Sequence, residues 1–93
     1  MGRVKDNRLY RVMVENASKP GKPVKMAGDM TFSRAMDFQK GRIWSYLSNA
    51  RTQLVLRMVG DYAETGHMNS IEVKQDPGTS FESHSVYWIE EDV

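Results

Sequence analysis

From Thr31 to Ala50 the chain reads TFSRAMDFQKGRIWSYLSNA, the one long stretch with clean helical periodicity. At about 100° per residue, Phe32, Ala35, Met36, Gln39, Ile43, Tyr46, Leu47 and Ala50 fall within roughly a 120° sector, with Arg34, Asp37, Ser45 and Ser48 opposite. One face is therefore built for burial. Asp29 or Thr31 supplies the short side-chain oxygen that caps a first helical turn. Gly41 costs about 1 kcal/mol relative to Ala in a helix interior, so a bend or a close helix–sheet approach is expected there. Phe38 and Trp44 lie outside the stripe on opposite flanks. The plain expectation is that they cover the core edge. The sharper one is that Trp44, between Arg42 and Arg51, offers a stacking surface to a ligand.

What a single helix packs on is set by the other apolar runs, all short and strand-like. LYRVMV at Leu9–Val14 alternates, with Tyr10, Val12 and Val14 on one face and Leu9, Arg11 and Met13 on the other. NASKPGKP at Asn16–Pro23 is a basic Pro-Gly loop, and Val24–Met26 a short return strand. TQLVLRMV at Thr52–Val59 suits either a continued helix or a strand; its length, its valines and the Gly60-Asp61 turn favour the strand. Tyr62–Asn69 reads as loop, Ser70–Gln75 as a strand with Ile71 and Val73 inward, Asp76–His84 as a long turn, and Val86–Ile89 as the last strand. Residues 1–7 should fray, and residues 90–93 should form an acidic tail. The fold class is α+β: a three-to-five-stranded, mostly antiparallel sheet in ββαβββ order with one helix on one face. The other face would carry Arg11, Met13, Arg57, Lys74 and one of Tyr87 or Trp88.

At 93 residues one domain with one small core is expected. The absence of cysteine removes disulfides, thiolate catalysis and cysteine-ligated zinc. No apolar run resembles a signal peptide or approaches the ~20 residues of a membrane span, so the expected location is cytoplasmic, without membrane contact. The net charge of +1 conceals an asymmetry. Residues 1–57 carry twelve of the thirteen cations against four acids, a balance of +8; residues 58–93 carry Lys74 against eight acids, a balance of −7. Either the halves interleave and neutralise each other, or the first half presents a basic surface for phosphate.

Two chemistries follow from these residues. A sheet face mixing cations and rings is the arrangement by which single-stranded or RNA-binding modules neutralise phosphate and stack bases, at about 1–3 kcal/mol per stacked base. The residues expected to do so are Arg8, Arg11, Lys19, Lys22, Lys25, Arg42, Arg51 and Arg57, with Trp44 as stacker. Separately, Gly60-Asp61 ending one strand and Glu72-Val73-Lys74 in the next resemble the Asp…Glu-x-Lys signature of the PD-(D/E)xK metal-dependent nucleases. That resemblance spans about residues 32–75. It implies Asp61 and Glu72 as ligands of a divalent cation and Lys74 as the group orienting the attacking water. The family places a further helix after the lysine strand, where this sequence has a hairpin and acidic residues.

His67 and His84 fall in predicted loops without metal-ligand spacing, and no nucleophile motif or cofactor motif occurs. The seven methionines serve mainly as core filler, or form an adaptable partner surface. The leading expectation is a non-enzymatic nucleic-acid-binding protein with no cofactor and no metal. The alternative is a phage- or mobile-element-type inhibitor that binds a larger protein complex. A homodimer through an exposed edge strand is compatible with either.

Overall fold

The structure, a computed structural model, describes residues 8–47, 54–58, 66–80 and 82–92, with the backbone alone at 46, 47, 54 and 55. The element order is β1 (Tyr10–Asn16), β2 (Val24–Met30), α1 (Phe32–Leu47), β3 (Leu54–Met58), β4 (Met68–Gln75) and β5 (Ser83–Glu91). All five strands join one antiparallel sheet in the order β2-β1-β5-β4-β3, so α1 carries the chain from one edge of the sheet to the other. This is the α+β ββαβββ arrangement that the hydrophobic periodicities imply. Residues 1–7, expected to fray, lie outside the described residues.

The strands run longer than their apolar cores suggest. β2 continues past Met26 through Gly28 and Asp29, and β4 takes in Met68 and Asn69 from the expected loop. β5 extends from Ser83 to Glu91, so Glu90 and Glu91 are ladder residues and not a free acidic tail. The reason is partnership: Arg11 pairs with Glu90 and Tyr10 with Glu91, and backbone bonds to a central strand hold polar residues in line that have little β preference of their own. Segment 54–58 is a strand, in unbroken register with β4 from Leu54↔Gln75 to Met58↔Ile71.

Thr31 caps α1, accepting from the Arg34 amide at 3.2 Å. Its buried stripe is narrower than the sequence suggests: Ala35, Gln39 and Ile43 are buried, whereas Phe32 and Met36 are each 36% exposed. Ala35 packs with Tyr10, Val12 and Ile89, and Ile43 with Val73 and Tyr87, so the two ends of the helix sit in separate apolar clusters. Between them, Gln39 is 1% exposed. Its amide donates to the Asn69 carbonyl at 2.8 Å, and the Asn69 side-chain amide donates back to Gln39 Oε1. Asn69 reaches it because a register irregularity between Met68 and Ile71 places it at φ +51°, a left-handed conformation that Asn tolerates better than most residues. α1 packs chiefly on β1, β2 and β5 and reaches β4 at Val73 and Asn69, while Leu56 and Met58 of β3 stay exposed.

Replacing Ile89, which is fully buried, with Ala should cost about 2–5 kcal/mol in urea denaturation. Gln39→Leu, which strands the polar groups of Asn69 beneath the helix, should cost about 1–3 kcal/mol despite its added apolar surface.

Candidate functional site

Two surfaces are candidates for a site: the sheet face away from α1, and the flank where α1 borders β3 and β4. Strand register decides the first. Directly opposite residues share a face, so Arg11 and Glu90, Met13 and Trp88, Glu72 and Val86, Arg57 and Glu72, and Lys74 and His84 all lie on the face away from the helix. The aromatic residue there is Trp88, and Tyr87 faces α1.

On that face the cations of the first half of the chain meet the acids of the second. Arg11 Nε donates to Glu90 Oε2 at 2.8 Å, its Nη2 reaches the same oxygen, and its Nη1 lies 3.5 Å from Asp92 Oδ1. Lys25 Nζ lies 3.2 Å from Asp92 Oδ2, which also accepts from the Asp29 amide at 2.9 Å. Arg57 Nε donates to Glu72 Oε1 at 3.1 Å, and His84 Nε2 lies 2.8 Å from Glu72 Oε2. Outside this face, Arg8 Nε stands 3.9 Å from Glu91 Oε2. Gly28 makes room for the arrangement: a Cβ there would meet the Lys25 side chain and the Asp92 carboxylate.

Trp88 is 4% exposed. Its indole N–H donates to Glu90 Oε1 at 2.6 Å, and His67 lies parallel on its ring with centroids 4.2 Å apart. The expected base-stacking ring of the open face is therefore covered by a histidine of the same chain. His84 is not the loop residue that the sequence suggests, since it belongs to β5 and bonds to Glu72; His67 lies in the loop before β4, as expected, and stacks on Trp88.

These contacts set the ionisation of the carboxylates. The bond with His84, followed by that from Arg57, holds Glu72 below the usual carboxylate range. Partial burial pushes Glu90 upward, but the bonds from Trp88 and Arg11 and the Arg11 charge outweigh it and hold Glu90 low. Asp92 is held low by the Asp29 amide, against some desolvation, with Lys25 and Arg11 adding to the effect. The bond to Glu90 raises Arg11 further above its ordinary value.

Of the other expected phosphate contacts, Lys19 and Lys22 are exposed in the β1–β2 connection, and Arg42 is exposed on α1. Arg51 lies outside the described residues, as does Asp61 of the nuclease-like set. Within that set, Glu72 and Lys74 share the open face, but both Glu72 oxygens are engaged, by Arg57 and His84. Among the described residues no group of three acids or histidines is placed to hold a metal ion. No described helix is long and apolar enough to cross a membrane.

The second surface is apolar. A cleft of about 310 Å³ opens between α1 and strands β3 and β4, walled by Met36, Lys40, Ile43 and Trp44, floored by Leu56 and Ile71, and closed by Gln39 and Asn69. Met36, Lys40 and Trp44 follow one another at i, i+4 spacing along one flank of the helix. Trp44 on α1 is 58% exposed, and Leu56 and Met58 on β3 are 47% and 64% exposed, so large apolar side chains stand in solvent on this flank. From the sequence, Met36 belongs to the buried stripe and Leu56 and Met58 to an ordinary core strand. The available signal was the number of methionines, read chiefly as filler. No protein-family profile matches the chain, and neither does any curated protein or solved structure.

Because Glu72, Glu90 and Asp92 titrate lower in the folded chain than in the unfolded one, their contribution to stability is fully present above the unfolded carboxylate range, about pH 4, and is lost as pH falls through their folded values. The urea midpoint should accordingly drop below about pH 5, and Asp92→Asn should flatten part of that dependence.

Proposed function

We propose that this chain acts by binding another protein, without catalysis of its own, through the cleft between α1 and strands β3 and β4. The observation that carries this reading is an apolar cleft lined by the exposed Trp44 and Leu56, with the exposed Met58 two residues further along β3. The cations expected to grip phosphate on the open face are instead engaged by carboxylates of β4, β5 and Asp92. Aromatic and methionine side chains are the groups that anchor protein interfaces, because they bury large area at low entropic cost or adapt to an irregular partner. The chemistry suits an apolar anchor from a larger protein, with Asp37 and Lys40 beside the cleft supplying polar contacts of both signs. A compact inhibitor that occupies a surface on a larger complex works in this way.

Nucleic-acid binding is the second reading. It rests on Lys19, Lys22 and Arg42, for which the described residues supply no carboxylate, and on the exposed Trp44 ring. Phosphate contacts would make its affinity fall steeply with salt.

Capture from a bacterial lysate separates the two. Wild type should retain one stoichiometric protein after nuclease digestion, and Trp44→Ala should lose about tenfold or more in its affinity, as truncation of an interface anchor does. Equal retention by the variant, or retention of nucleic acid alone in a salt-dependent manner, would set the protein-binding reading aside.

A further inference from the structure

We propose that β3 pairs antiparallel with β3 of a second copy, so that the partner-binding surface is a two-fold groove that one chain supplies only in half. The inference rests on reading the α1–β3–β4 flank as a protein-binding surface, and names the first protein to meet it.

The two edges of the sheet differ in how they receive another strand. At the β2 edge the register against β1 slips twice, between Tyr10 and Val12 and again between Val12 and Met13, and Asp29 sits at φ +54°. Bulges and charges of this kind, here with Lys25 and Asp29, are the devices by which sheets discourage a further strand. The β3 edge has no bulge among its described residues. Its five residues hold unbroken register with β4, and its one charge, Arg57, is drawn towards Glu72. A regular apolar edge of this sort is a template for strand addition.

The sequence of β3 is compatible with itself. In antiparallel pairing about Leu56, position 56 faces 56 of the second copy, 57 faces 55, and 58 faces 54. No arginine meets an arginine, and Leu56, at 47% exposure, meets its own symmetry mate. A two-fold axis perpendicular to the sheet keeps both helices on one face. The result is a ten-stranded sheet with β4-β3-β3-β4 at its centre, where Leu56 and Met58 of each chain stand exposed beside α1. At about 4.8 Å per strand, that floor is about 14 Å across. The two flanks bearing Met36, Lys40 and Trp44 become its opposite walls, enough for a helix about 10 Å wide or an extended segment. Ile71, Leu56 and Met58 are then present twice along the floor.

Sedimentation equilibrium of the full chain tests this. Wild type should show twice the 10.7 kDa chain mass, and its amides in 54–58 should exchange slowly with solvent. Leu56→Lys, which sets two ammonium groups opposite each other across the axis, should sediment at the single-chain mass with an unchanged far-ultraviolet spectrum and faster exchange in that segment. Met58→Lys provides the same reading at a position 64% exposed, where folding is least disturbed. A wild type that is monomeric at every concentration, or a dimer that survives both substitutions, would overturn the proposal. A monomer that still captures a nuclease-resistant protein through Trp44 removes the dimer and leaves the binding reading. A dimer that captures no protein does the reverse.

Discussion

Among the described residues, one helix packed on five strands is the constraint from which the rest of this structure follows. An α-helix is about 10 Å across and strands are spaced about 4.8 Å apart, so a single helix shields two or three strands and no more. Here α1 sits over β1, β2 and β5, with Ala35 and Ile43 each seated in its own apolar cluster. The Gln39–Asn69 pair fixes its height and rotation by requiring two polar groups to meet beneath it. What α1 does not reach, the helix-side surface of β3, keeps Leu56 and Met58 exposed. The cleft is thus a consequence of stoichiometry, one helix to five strands, and not of an irregularity in the fold.

Among the described residues no helix or strand layer covers the opposite face, where cations and carboxylates pair. Arg11, Lys25 and Arg57 from the first three-fifths of the chain meet Glu90, Asp92 and Glu72 from the rest, while Trp88 lies beneath His67. Ion pairs open to solvent on one side add little to stability, so they are not what holds the sheet together. Their larger effect is on the field: guanidinium and ammonium groups in contact with carboxylates leave little positive potential to attract a polyanion. Asp92 is the hinge of the arrangement, touching Arg11 on β1, Lys25 and the Asp29 amide on β2, and following directly on β5. Part of the electrical opposition of the two halves is therefore used internally, in the pairing of Arg8, Arg11, Lys25 and Arg57 with later carboxylates, while Lys19, Lys22 and Arg42 stay exposed.

Much of this was legible in the residues. Helical spacing in 31–50 and alternation in 9–14 and 70–75 reflect which side chains must leave water, and that requirement acts locally. The strand ends were less legible, because Glu90 and Glu91 lie in β5 through their pairing with Arg11 and Tyr10, residues some eighty positions away. The cleft was less legible still. Met36 is spaced as a buried residue and Leu56 and Met58 are composed as core residues; they are exposed because of where α1 lies, which no local pattern encodes.

By itself, then, the sequence determined the kinds and order of the elements, the inward faces of β1 and β4, and the charge carried by each half, since all of these depend on neighbours a few positions apart. Tertiary structure alone decided that those charges would pair, that Trp88 and not Tyr87 would face away from the helix, and that the apolar surface left over would gather beside Trp44. Each of these outcomes depends on strand order and register. Side chains distant in the chain meet only when a particular sheet is built, and a shift of one residue in the last strand would have exchanged Trp88 for Tyr87.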